Sequence, residues 1–237
     1  MVTPASCSDA AIGDQGRERV GSTQASLTAA NSSEVVELYG SNSNDDDWQL
    51  RVIEANGRVT TQPIPDLIGL GSLKLLGVSR LDAGPTTPIE PLIFLSQGSA
   101  PHVDVVSVWR FDSGACAITA VNEQGGSPAR FFVGTTQTAF VGLRCTPSVD
   151  TSEDLLGDSA LTEPRSTDQA SSLLLQVSAD GAASNGTSFK ASDTQRPLVD
   201  GELTRGQTKI LDLDVTVFTT LILQYGTALC PGVTPPR

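Results

Sequence analysis

Apolar residues along this chain come in short runs, each closed by a tight turn and followed by a second run. The unit recurs at residues 48–61 (WQLRVIEANGRVTT), 103–121 (VDVVSVWRFDSGACAITAV) and, more loosely, 173–191 (LLLQVSADGAASNGTSFKA). Asn56-Gly57 and Asp180-Gly181 are strong hairpin signals, because both residue types tolerate φ > 0; Ser113-Gly114 is a weaker version. Within 103–111 the period is two. Val103, Val105, Ser107, Trp109 and Phe111 fall on one face, Val106 and Val108 on the other, which predicts a central strand apolar on both sides.

Further strands are predicted at 34–39, at the end of IGLGSLKLLGVSRL, and at 91–95, 130–133, 139–143, 173–178, 186–191, 209–217 and 218–225. SNSNDDD after residue 40 reads as a loop. Long amphipathic helical patterns are lacking, so only short helices are expected. The pattern predicts an all-β protein of antiparallel hairpin sheets, propeller-like or curled into an incomplete barrel, with a β-sandwich as runner-up. Residues 1–30 read as a loose, polar arm and 31–230 as one domain. An acidic connection spans 146–172, where six acids face the single base Arg165, and 231–237 form a tail.

Composition narrows the partners. The chain has 237 residues and a formal charge of −12, with three lysines against twelve arginines. A field of that sign repels phosphate backbones, so nucleic acid is not an expected partner. The arginine bias resembles that of GC-rich bacterial coding sequences. No apolar run reaches the roughly 20 residues of a membrane-spanning helix. MVTPASCSDAAIGDQ lacks the basic and apolar segments of a signal peptide, and is read as a mature terminus whose export signal has been removed.

Cys7, Cys116, Cys145 and Cys230 suit an exported protein with two disulfides; their spacing does not match zinc or CxxC redox motifs. Three connectivities are open. The one expected joins the central pair, Cys116–Cys145, and ties the termini through Cys7–Cys230. The alternative for Cys7 is a lipid anchor, since Ala5 and Ser6 are small residues of the kind that precede lipidated cysteines.

Candidate chemistry is sparse. His102 is the one histidine, and Asp104 two residues on could orient it, but no GxSxG nucleophile context accompanies them. An ordinary loop-edge histidine is the expected reading. Asp45, Asp46, Asp47 and Trp48 are weak ligand-surface candidates, the acids for a cation or, with the Trp48 indole, for a sugar ring, against a solvated loop. Asp212 and Asp214 alternate along a strand and share a face; paired carboxylates could cleave a glycosidic bond, but polar-face alternation explains them better. Trp109 is expected in the core. The sequons at Asn31 and Asn185 are given no role.

The run LLGVSRLDAGPTTPIEPLIFLSQG, followed by VDVVSVWRFDSGACAITAV, ARFFVG and FVGLRC, resembles the FG-GAP/VCBS-like (integrin-alpha-like) repeat modules of exported actinobacterial proteins. Residues 77–84 would supply a strand and loop, 91–95 the next strand, and 105–114 a further strand and turn. LVDGELTRG (198–206) is similar to the closing turn. Such modules bind calcium through alternating oxygen ligands. Here those places hold Arg80, Asp82 and Gly84, and the segment Gly13-Asp14-Gln15-Gly16-Arg17 is poorer still, so calcium is disfavoured and no cofactor is expected. The resemblance implies a non-catalytic protein of the cell envelope, structural or interacting with an envelope protein or glycan. The alternative is a hydrolase of an envelope glycan or peptide working through carboxylates such as Asp212 and Asp214.

Overall fold

A computed structural model of the chain describes residues 6–8, 16–28, 32–41, 44–64, 72–81, 90–100, 103–135, 139–147, 172–180, 188–196, 198–199, 202–205, 208–214, 230 and 232–234. Among them there is no helix. The strands are β1 (Ser6–Ser8), β2 (Glu18–Ala25), β3 (Glu34–Ser41), β4 (Asn44–Ile53), β5 (Val59–Ile64), β6 (Leu73–Leu81), β7 (Glu90–Ala100), β8 (Val103–Asp112) and β9 (Ala117–Ala120). They continue as β10 (Asn122–Glu123), β11 (Arg130–Thr135), β12 (Ala139–Pro147), β13 (Ser172–Asp180), β14 (Ser188–Arg196), β15 (Leu198–Val199), β16 (Glu202–Leu203) and β17 (Thr208–Asp214).

Three sheets result. One has five strands in the order β1-β5-β4-β3-β2; a nine-stranded sheet runs β17-β14-β13-β12-β11-β8-β7-β6, with β9 paired to β8; a small one joins β10, β16 and β15. Pairing is antiparallel except between β10 and β16. The all-β class expected from the hairpin pattern therefore holds. No described sheet closes into a barrel. The large sheet nevertheless curls far enough that Cα atoms of β13 come within 8 Å of β6, its edge strand.

Two cores follow from the period-two alternation of β6–β8. On one face Ile93, Leu95, Trp109 and Phe111 pack against Val36, Leu38, Trp48, Leu50 and Val52 of the five-stranded sheet. On the other, Leu92, Phe94, Val106, Val108 and Phe131 gather with Leu143, Leu198, Leu203, Cys230 and Val233. Val105, Val106 and Val108 are fully buried, as a strand apolar on both faces requires. Trp109 lies in the first core, its indole N–H donating to Ser107 Oγ at 3.0 Å.

Hairpin chemistry places the turns but not their lengths. At Asn56-Gly57 only Gly57 is left-handed (φ 87°). Gly57 N–H donates to Glu54 O, Glu54 N–H to Arg58 O, and Arg58 N–H to Asn56 Oδ1. This is a three-residue loop closed by a glycine bulge rather than a two-residue turn. At Asp180-Gly181 the glycine lies outside the described residues; Asp180 itself pairs with Lys190. The Ser113-Gly114 turn puts its left-handed residue at Cys116 (φ 55°), not at the glycine.

Three expectations about chain segments are corrected. Part of the supposed arm forms β1 and β2, which pair with β5 and β3. β2 reads ERVGSTQA and is largely exposed, so it carries little hydropathy signal and is held by its ladder. The tail is docked: Gly77 bridges Val233, Thr234 N–H donates to Leu76 O, and Val233 is buried. Residues 44–47, expected in a loop, begin β4, with Ser41↔Asn44 as the last pair. Most of the acidic connection and the expected strand at 218–225 lie outside the described residues; Pro147↔Ser172 pairs the two ends that the connection joins.

Candidate functional site

Among the described residues, charged side chains enter the buried regions at three places, all on the five-stranded sheet or its turns. The first is the second face of that sheet, where alternation along β3 and β4 puts Glu37, Tyr39 and Arg51 opposite Leu38, Leu50 and Val52. All three are buried. Register sets Glu37 directly across from Arg51. Tyr39 Oη donates to Glu37 Oε2 at 2.9 Å, Arg19 Nη1 donates to Oε1 at 2.9 Å, and Arg51 Nη1 stands 3.9 Å from Oε2. The Arg51 guanidinium also lies 4.3 Å above the Tyr39 ring, a cation–π contact. The cluster therefore ties β2, β3 and β4 through one carboxylate.

The second is the β4–β5 turn. Arg58 Nε donates to Glu54 Oε1 at 2.6 Å, and Arg58 Nη2 donates to both the carbonyl and the hydroxyl oxygen of Ser113. Ser113 Oγ in turn donates to Glu54 Oε2 at 2.7 Å. Two hairpin turns visible in the sequence are thus clamped to each other, across two sheets.

The third is Glu34 at the start of β3. It is 1 % exposed and accepts from Leu27 N–H (2.7 Å), Thr28 Oγ1 (2.6 Å) and Ser32 Oγ (2.7 Å). Burial alone would push its carboxyl up. The donors outweigh burial and hold it below the ordinary value of 4.5. A depressed carboxylate contributes stability that is present above 4.5 and lost as pH falls through the folded value. Glu34→Gln is therefore expected to cost about 2 kcal/mol at pH 7, with three charge-assisted bonds weakened. The difference from the parent should shrink as pH drops below 4.5, read as urea midpoints across a pH series. A constant difference down to strongly acidic pH would contradict it.

The residues singled out by sequence scatter. Asp45, Asp46 and Asp47 sit on β4. Trp48 is buried in the first core and is not a sugar platform. The space it fills is left by Gly40, at which a Cβ would stand 2.7 Å from Cη2 and closer to Cζ3 and Cε3. Asp104 lies on β8, half buried; burial pushes its carboxyl up and the charge of Lys74 opposes that. His102, Asp82, Gly84, Asn31 and Asn185 lie outside the described residues, and Arg80 is on β6. Asp212 and Asp214 occupy β17 opposite Lys190 and Ser188. Lys190 also pairs in register with Asp180 of β13.

Cys116 and Cys230 are not free thiols. Cys7 and Cys145 stand on β1 and β12.

Sequence reading missed Glu34, Glu37, Arg51, Glu54 and Arg58. The available signal was an acid or base at the alternate positions of otherwise apolar strands, as in EVVELY and WQLRVI. Among the described residues no helix is long and apolar enough to cross a membrane. Comparison of the chain with protein-family models, with curated proteins and with solved structures finds no match.

Proposed function

We propose that this is a non-catalytic exported protein of the cell envelope, serving as a structural or interaction module. The observation that carries the reading is the use made of buried charge. Glu34, Glu37 and Glu54 are each held by donors from neighbouring strands or turns. A carboxylate immobilised in this way braces the frame; a general acid or base needs an open side toward substrate. The thiol state of Cys116 and Cys230 supports an oxidising compartment. The surface offers Phe132 of β11, 51 % exposed beside exposed Arg130, as a contact for an envelope protein or glycan. The repeat resemblance belongs to the same proposal: residues 77–81, 91–95 and 105–111 fall on β6, β7 and β8, three strands adjacent in one meander.

The test is incubation of purified protein with insoluble envelope polysaccharide and with envelope proteins. Saturable co-sedimentation weakened by Phe132→Ser, with no release of reducing ends or amines, supports the module. Release of either, abolished by Asp212→Asn with Asp214→Asn, would replace it with the hydrolase reading.

A further inference from the structure

Neither Cys116 nor Cys230 is free. Cys230 is buried in the core beside Val233, Leu143 and Phe131. Cys116 ends the β8–β9 turn, whose Ser113 is clamped to Arg58 of the five-stranded sheet. Between the two positions run β6, β7 and β8, packed on both faces. The large sheet lies between the core that holds Cys230 and the clamp beside Cys116, which favours a partner for each on its own side.

Backbone register supplies one candidate for each. Cys7 pairs with Thr60 on β1, and Thr60 pairs with Val52 of the first core, so all three positions share that face. Thr60 is two residues beyond Arg58, and β5 runs against β9, which Cys116 immediately precedes. Cys145 is two residues along β12 from Leu143 and so shares the face that carries Leu143 into the second core, where Cys230 lies.

We propose that the disulfides are Cys7–Cys116 and Cys145–Cys230, not the pairing expected from chain order. Each bond forms as two thiols lose two protons and two electrons to a disulfide oxidant, whose own sulfur–sulfur bond becomes two thiols. The consequence is topological. The two covalent loops follow one another along the chain without overlapping, so each half of the protein is closed independently, and the first can be oxidised before the second half has left the translocation machinery. The N-terminal strand is fastened to the β8–β9 turn and the C-terminal segment to β12. Cys7 then carries no lipid.

One cut separates the alternatives. A site-specific protease sequence inserted in the exposed turn at 124–127 lies between Cys116 and Cys145. After cleavage and denaturation without reductant, the proposed pairing releases two separate fragments. Both other connectivities span the cut and keep the fragments joined until reductant is added, which would overturn the proposal. Should the insertion fail to fold, a non-reduced tryptic map of the unaltered protein serves. It is expected to link 1–17 to 111–130 and 145–165 to 210–237; a link of 111–130 to 145–165 would overturn it. Four thiols open to iodoacetamide in the purified, unreduced protein would sink both the pairing and the reading as an exported protein. A different pairing would sink only the first.

Discussion

Replacing Gly77 with alanine is expected to destabilise the protein by about 3 kcal/mol and to release its C-terminal segment. Two independent costs add. Gly77 has φ 138°, a conformation that costs an L-residue on the order of 1–3 kcal/mol. A Cβ there would also strike the carbonyl oxygen of Gly232 and sit 3.2 Å from its carbon. That neighbour is backbone, held by the Gly77↔Val233 bridge and by the Thr234 N–H bond to Leu76 O (2.8 Å), so it cannot swing aside as a side chain would. Overpacking of this kind costs about 1–3 kcal/mol more. If the segment undocks to relieve the clash, Val233 leaves the second core and part of the cost reappears as lost burial. Urea unfolding would measure the loss, and carboxypeptidase digestion the undocking. Gly98→Ala is the control, because its Cβ would meet only Asp104 Oδ1 at an ordinary 3.8 Å. Equal midpoints for the two variants would refute the argument.

That bridge also marks where sequence reading stopped. GVTPPR has no alternation and two prolines, and its docking involves a bulge in β6 between Leu75 and Gly77, far earlier in the chain than the tail itself. Nothing local encodes such a contact. By contrast β8 was legible in full. Its period-two pattern with apolar residues on both faces required two packed layers, and both are there. β2 failed for a third reason: an exposed strand beside a covered one needs no apolar residues, only a ladder partner. Clustered acids such as 45–47 stand out in the sequence because they are dense, while isolated Glu34, Glu37 and Glu54 are the acids buried among the described residues. A single carboxylate flanked by valine or isoleucine is placed by the strand's alternation, and burial follows from what packs above it. Density in sequence carries no such constraint.

Arg58→Ala is the second large effect, with an expected loss of about 2–3 kcal/mol. Glu54 is only 7 % exposed at its side chain, and its Oε1 accepts from Arg58 Nε at 2.6 Å. Removing the guanidinium leaves that carboxylate with Ser113 Oγ as its remaining side-chain donor. Breaking a buried pair costs about 3–5 kcal/mol when one charge is stranded; Arg58 is 31 % exposed, so water takes over part of its role and the lower figure applies. Ser113 loses both of its contacts from Nη2, and with them the β8–β9 turn loses its tie to the β4–β5 turn. A lysine cannot substitute, since one ammonium does not span the fork from Glu54 to Ser113. Glu54→Gln in the Arg58→Ala background removes the stranded charge. The double variant should therefore be more stable than the sum of the two single losses by about 1–2 kcal/mol, read from a double-mutant cycle in urea. Strict additivity would mean that the two turns lie side by side without the clamp, and that the sheets are held together by the first core alone.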